Sequence, residues 1–225
     1  MSIELKTTTK TEDAANFLFS SISNQLNQGK KVLFFVTGGS SISVVIKISE
    51  LLHMKPHQNL TIMLTDERYG ELNHVDSNWY QLIQKGFHLP QATLVPILIG
   101  DDRDTTTEKF IAVLAHELSK AEYTIGLFGV GEDGHTCGIL PESKAAYSEK
   151  LAFAYDAAKF SRITITQKAI EKFDEAVAWI QGKNKWGIVK DLLEKNIEIA
   201  KQPAQILKKV PLLTIFTDYH PSSRA

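Results

Sequence analysis

The chain has 225 residues, 43% of them hydrophobic and 23% charged, enough apolar material for a sizeable core and too much for a disordered chain. Lys and Arg number 25 against 26 Asp and Glu, a formal net charge of -1, so nothing global points to nucleic acid or an anionic membrane. The single cysteine, Cys137, excludes an intramolecular disulfide, Met1 to Glu12 has no apolar core for a signal peptide, and no run approaches a membrane span; the expected compartment is the cytoplasm.

Periodic segments alternate along the chain. Ala14 to Leu26 repeats Ala14, Phe17, Leu18, Ile22 and Leu26 on one helical face. Val32 to Val36 is a continuous apolar run of the kind buried on both faces of a parallel sheet, ending at Thr37-Gly38-Gly39-Ser40, and Ile42 to Leu52 then reads as helix. Leu60 to Leu64 is a second strand, followed by Thr65-Asp66-Glu67-Arg68; Ser77 to Gln84 reads as a helix capped by Asp76 or Ser77. Thr93 to Leu98 is a strand, Gly100 to Glu108 the clearest loop, Thr107 to Lys120 a helix, and Tyr123 to Phe128 a strand. Strands at Leu151 to Tyr155, Arg162 to Thr166 and Glu175 to Ile180, a helix from Asn184 to Leu193 and a strand at Leu212 to Phe216 complete the series. No repeat or linker interrupts it, so the expectation is an α/β fold: a single Rossmann-like domain over residues 1–225, with a mainly parallel sheet flanked by helices. Ligands in such folds collect beyond the carboxyl ends of the strands, where Gly38 to Ser40, Asp66 to Arg68 and Gly131 to His135 would converge.

The densest chemistry lies in Gly129 to Pro141, which puts glycines, Asp133 and His135 at the end of a strand. Glycine allows backbone turns and close approach to a ligand, and an imidazole titrating near neutral pH is a natural general base. Asp133, two residues away, can orient that imidazole or raise its basicity; the plainer reading is a neutral His satisfied by carbonyls in a tight turn. Gly129, Gly131 and Gly134 also satisfy G-x-G-x-x-G, with Asp156 about twenty residues on, but Gly138 and Pro141 interrupt the helix a dinucleotide site requires. Cys137 has nothing to activate it as a nucleophile and no G-x-S-x-G elbow is present. Pro56 breaks the spacing of His53 and His57, and His116-Glu117 lacks its second His, so neither a metal nor a cofactor is expected.

Thr37 to Ser41 offers backbone N–H groups and hydroxyls at a helix start, which suits phosphate as well as it suits an ordinary turn. Arg68 supplies a planar fork for phosphate oxygens, unless it is a surface residue paired with Glu67 or Glu71. Arg162, opening a strand, and Lys183, after Gly182, are further cations at element ends.

Together, Thr37-Gly38-Gly39-Ser40, Thr65-Asp66-Glu67-Arg68, Asp76-Ser77-Asn78-Trp79 and Gly129 to Pro141 resemble, in order and spacing, the 6-phosphogluconolactonases and the glucosamine-6-phosphate deaminases of their superfamily. Arg162 to Thr166 and Gly182 to Lys185 are similar to the family's R-x-T-x-T strand and G-x-x-K helix start; the latter favours Lys185, with Lys183 also possible. The resemblance spans roughly residues 12 to 217. It implies hydrolysis of a phosphosugar lactone, 6-phospho-D-glucono-1,5-lactone, in the oxidative pentose phosphate pathway. His135 would be the base, supported by Asp133. Arg68, Arg162, Lys183 or Lys185 and the Gly38-Gly39-Ser40 turn would hold phosphate. Asp66 and Glu67 would bind sugar hydroxyls or fix Arg68, Gly131 would be a further substrate-binding residue, and N–H groups in the glycine loops would meet the oxyanion. The deaminases carry an acid where this chain has Leu140 and tyrosine where it has Arg68, which favours the lactonase over a deaminase or phosphosugar isomerase. A non-catalytic phosphosugar-binding protein would have no need of the histidine loop.

Overall fold

Apolar runs long enough to cross a sheet become its strands, and the glycine- and charge-rich segments that follow them gather at one edge. The computed structural model describes residues 2–53 and 57–221, so Pro56, on which the reading of the His53 and His57 spacing rests, lies outside the described residues. Seven strands, β1 (Ser2–Thr7), β2 (Val32–Val36), β3 (Leu60–Leu64), β5 (Thr93–Val95), β6 (Tyr123–Gly129), β9 (Glu175–Ile180) and β10 (Leu212–Thr217), pair in the order β1-β10-β9-β6-β2-β3-β5. All their pairings are parallel. A second, antiparallel sheet is built from β4 (Asp66–Arg68), β7 (Ala152–Asp156) and β8 (Ser161–Ile165) in the order β4-β8-β7.

The helices are α1 (Thr11–Asn27), α2 (Ile42–His53), α3 (Asn78–Gln84), α4 (Arg103–Lys120), α5 (Gln167–Ile170) and α6 (Trp186–Glu194). They flank the parallel sheet, giving the α/β Rossmann-like class that the alternation of strand and helix patterns predicts. Amphipathic α1 turns Ala14, Ala15, Leu18 and Ile22 into the core, and every residue of β2 and β9 is buried, as expected for central parallel strands. At the centre Phe173 packs against Phe35 and Phe128, with ring centroids 4.7 and 5.7 Å away.

Four of the differences between the structure and the sequence expectation have a clear local reason. Gly100 to Glu108 is not a loop throughout. Asp102 accepts a hydrogen bond from the Thr105 N–H at 3.0 Å and starts α4 at Arg103, while the Thr106 and Thr107 hydroxyls donate to backbone carbonyls. The strand read as Thr93 to Leu98 stops at Val95, because Pro96 has no N–H to continue the ladder. Asp66 to Arg68 is a strand of the second sheet rather than only a strand-end segment. Edge strand β1 escapes the apolar-run criterion because its burial only alternates along six residues. The α3 cap resolves to Ser77, whose side chain accepts from the Tyr80 N–H at 3.1 Å.

Strand order sets where ligands can go. The chain leaves β2 toward β3 on one side, and after β6 the next strand of this sheet is β9 on the other, so the neighbouring pair β2 and β6 is a switch point with a crevice beyond its carboxyl ends.

Gly126 shows how tightly the core below this crevice is packed: a Cβ there would stand 2.6 Å from the Phe128 ring and 2.7 Å from Phe173. Gly126→Ala is therefore expected to cost about 1–3 kcal/mol, lowering Tm by about 3–10 °C. Thermal unfolding at an unchanged Tm would show that the aromatic cluster can give way.

Candidate active site

The loops after β2 and β6 face each other across that switch point, and β4 and β8 close the side. They enclose a cavity of about 260 Å³. The β2 turn contributes Thr37, Gly38, Gly39 and Ser40, and the β6 loop contributes Gly129, Val130, Gly131, His135 and Cys137. Asp66, Arg68, Asn78, Arg162 and Lys185 complete the wall, and Asp66 is the only carboxylate among these lining residues.

The histidine loop is a closed turn. Gly131 N–H donates to the His135 carbonyl at 2.9 Å and Gly134 N–H to the Gly131 carbonyl at 3.1 Å, with Gly134 in the left-handed region at φ 80°. Asp133 Oδ1 accepts from the backbone N–H of His135 at 3.0 Å and lies 2.6 Å from its Nδ1. Partial burial raises the Asp133 pKa, but the His135 N–H and imidazole outweigh it and hold the carboxyl below its ordinary range. An ionised Asp133 can only accept, so the Nδ1 facing it carries the proton and the neutral ring keeps its lone pair on Nε2. Gly131 makes room for the pair: a Cβ there would fall 2.2 Å from the ring atoms Cε1 and Nδ1 and 2.6 Å from Asp133 Oδ1. Cys137 is buried at φ 53°, and burial together with Asp66 pushes its thiol well above the ordinary range, which leaves it un-ionised and a poor nucleophile.

The cations come from the short antiparallel pair. Arg68 and Arg162 are register partners across β4 and β8. Like charges placed directly opposite destabilise a sheet, so their juxtaposition needs a compensating anion or neighbour. Arg162 NH1 lies 3.3 Å from Asp66 Oδ2, and Arg68 NH1 donates to the Asp76 carbonyl at 2.9 Å. The buried Nε groups of both arginines have no protein acceptor. Desolvation raises the Asp66 pKa, opposed by Arg162, the Thr65 hydroxyl, Arg68 and His135. Burial lowers the pKa of half-buried Lys185, with Glu132 opposing.

Two residues for which the sequence left alternatives open, Glu67 and Lys183, lie outside the cavity wall. Glu67 is fully buried, absent from the cavity wall, and spent on four donors: the N–H groups of Arg68, Asn78 and Trp79 and the Ser77 hydroxyl. It anchors α3 and the Arg68 backbone, which is the second of the two roles the sequence left open for it. Lys183 stands over the Trp186 ring at 5.9 Å and is not part of the wall, whereas Lys185 is. Among the described residues no three His, Cys, Asp or Glu side chains group as metal ligands.

The sequence profile for glucosamine-6-phosphate isomerases/6-phosphogluconolactonase matches residues 6–214. The chain belongs to this family. A 6-phosphogluconolactonase of Helicobacter pylori (strain J99) is 29% identical over 187 residues, covering 78% of this chain and 79% of the relative. The solved structure of the Thermotoga maritima 6-phosphogluconolactonase superposes with a TM-score of 0.82 at 19% identity, over 96% of this chain and 98% of that one. A monomeric glucosamine-6-phosphate deaminase superposes with a TM-score of 0.79 at 18% identity, over 96% and 97%. The fold is thus common to both branches of the family, and the choice between them rests on the residues in the crevice.

Of the residues singled out in the sequence, Gly38, Gly39, Ser40, Asp66, Arg68, Gly131, His135, Arg162 and Lys185 meet in one cavity, with Asp133 directly behind His135. Asn78 was in view only as part of a motif, yet it lines the wall. Its amide donates to the Asp66 carbonyl at 2.9 Å, and a Cβ on Gly38 would come within 2.2 Å of its Oδ1. Its place just after the Ser77 cap was the available signal.

Gly131→Ala should displace the imidazole while sparing the core. Turnover on the substrate proposed below is expected to fall by about tenfold to a hundredfold with Tm nearly unchanged; undiminished turnover would mean that the His135–Asp133 geometry is not the working one.

Proposed function

We propose that the protein hydrolyses 6-phospho-D-glucono-1,5-lactone to 6-phosphogluconate. The observation that carries this reading is one crevice holding both a carboxylate-oriented imidazole and a facing pair of guanidiniums. The first activates water and the second suits a phosphoryl group. In this reading residues 1–225 act as one catalytic domain in the cytoplasm, in the oxidative pentose phosphate pathway, with no metal or cofactor taking part.

His135 Nε2 takes a proton from water as its oxygen bonds to the lactone carbonyl carbon, and the carbonyl becomes a tetrahedral oxyanion. Asp133, held 2.6 Å from Nδ1, stabilises the resulting imidazolium. When the bond to the ring oxygen breaks, the imidazolium returns the proton to that oxygen. The product is a hydroxy acid, ionised at neutral pH. The N–H groups of Gly131, Gly134, His135 and Gly138 already have internal acceptors, so in this reading the oxyanion donor is the turn at Gly38–Ser41 across the cavity. Arg68, Arg162 and Lys185 receive the phosphate.

The deaminase alternative needs a carboxylate free to move protons on carbon. Leu140 stands where the deaminases carry an acid, and Asp66, the remaining carboxylate of the wall, faces Arg162 and the Thr65 hydroxyl. The deciding experiment generates the lactone with glucose-6-phosphate dehydrogenase and follows its loss. Acceleration by the protein supports the lactonase. Ammonia release from glucosamine 6-phosphate without lactone turnover would reverse the choice.

His135→Ala is expected to lower kcat by about a hundredfold or more while 6-phosphogluconate still binds. Near-normal kcat in this variant would make His135 structural. Arg68→Ala is expected to lower kcat/KM by about thirtyfold or more, the worth of one charge-assisted contact. That loss should appear on the phosphorylated lactone and not on glucono-1,5-lactone. Equal losses on both would take Arg68 out of phosphate recognition.

A further inference from the structure

Phe160 has no role in the chemistry above, yet three cations surround its ring. The Arg68 guanidinium carbon lies 4.7 Å from the ring centroid, that of Arg162 5.8 Å, and Lys159 Nζ 5.2 Å. All are within the range at which a cation is drawn to an aromatic quadrupole. The ring is half-buried, but it is neither in the hydrophobic core nor packed against it, unlike Phe153 and Ala157 of the same hairpin. A large aromatic side chain on a hairpin tip, apart from the core, has its cationic neighbours as its distinguishing contacts.

We propose that Phe160 is a positioning residue for the anion site, a platform that holds the Arg68 and Arg162 guanidiniums side by side so that a phosphoryl group finds both in place. The inference rests on the phosphate-binding reading given above. Its physical basis is the like-charge pairing across β4 and β8, which would otherwise drive the two side chains apart. Arg162 has Asp66 as a counter-charge at 3.3 Å, but among the described residues Arg68 has no ion pair, only the neutral Asp76 carbonyl at 2.9 Å. The aromatic face therefore supplies the electron-rich neighbour that Arg68 lacks. Holding the side chains before a ligand arrives also removes part of the ordering cost of binding.

The platform is itself held. Ala157 N–H donates to the Phe160 carbonyl at 3.0 Å across the hairpin turn. Arg103 NH1, from the first turn of α4, reaches Asp156 Oδ1 at 2.5 Å and Ser161 Oγ at 2.8 Å, and these two residues form the last register pair of β7 and β8. Tyr69 N–H donates to the Ser161 carbonyl at 2.8 Å, tying the chain just after Arg68 to the same hairpin end.

The test compares Phe160→Leu, which keeps apolar bulk without the π-face, with Phe160→Tyr, which keeps the ring. Binding of inorganic phosphate and 6-phosphogluconate is measured by titration calorimetry, and kcat and KM on phosphorylated and unphosphorylated gluconolactone. Phe160→Leu is expected to weaken both ligands and raise KM for the phosphorylated lactone by about five- to thirtyfold, the scale of two partly desolvated cation–π contacts. Its kcat, its turnover of the unphosphorylated lactone and its Tm should stay close to wild type, and Phe160→Tyr should restore binding to within about twofold. Wild-type affinity in Phe160→Leu, or equal losses on both lactones, would overturn the proposal and leave the ring as hairpin packing. If the wild-type protein bound neither phosphate nor 6-phosphogluconate, the phosphate site would fall with it; wild-type binding with no change in Phe160→Leu refutes the platform alone.

Discussion

The Glu67 carboxylate, fully buried, is the point from which most of the crevice is built. A buried charge is costly unless hydrogen-bonded, and here four donors meet it at 2.6 to 3.0 Å: the N–H groups of Arg68, Asn78 and Trp79 and the Ser77 hydroxyl. Even so, burial leaves its pKa above the ordinary value. The bonds to Asn78 and Trp79 satisfy N–H groups at the start of α3, which have no partner within the helix. They also fix Asn78, whose side chain bonds the Asp66 carbonyl and leaves room only for glycine at position 38. One carboxylate thus ties β4, α3 and the turn after β2 into a single wall, and sets the backbone from which Arg68 projects.

The other wall obeys a different constraint. In the turn after β6, Asp133 must meet both the backbone and the ring of His135 while Gly131 passes beneath them, and the contacts leave no room for a side chain at 131. The two walls meet because β2 and β6 are neighbours in the sheet while the turns they feed are far apart in sequence. The His135 imidazole and the Arg68 guanidinium therefore line one cavity although 67 residues separate them in the sequence, and Arg162 joins them from 27 residues beyond His135. The nearly neutral composition fits this arrangement, since three local cations, and no global excess, mark the site.

Legibility in the sequence followed the range of the interactions. Strands β2, β3 and β9 were readable to the residue because burial on both faces makes them almost entirely apolar, and Asp133 with His135 was readable because the pair lies within one turn. The start of α4 was not, since the cap at Asp102 and the internally bonded threonines look like loop composition until their backbone partners are known. β1 was missed because an edge strand needs to hide only one side.

The residues themselves fixed the α/β class, the histidine loop and the inventory of cations, since these depend on periodicity and on neighbours a few positions away. Tertiary structure decided where that inventory sits. Glu67, next to Arg68 in sequence, turned inward as an anchor; Lys185 reached the cavity while Lys183 lay against Trp186; Asn78 joined the wall. Arg68 came to face Arg162, 94 positions away, across a three-residue strand. A strand shows in the sequence which residues alternate from side to side, but the partner that lies opposite is set only when distant segments pair, and it is that pairing which puts two guanidiniums in one place.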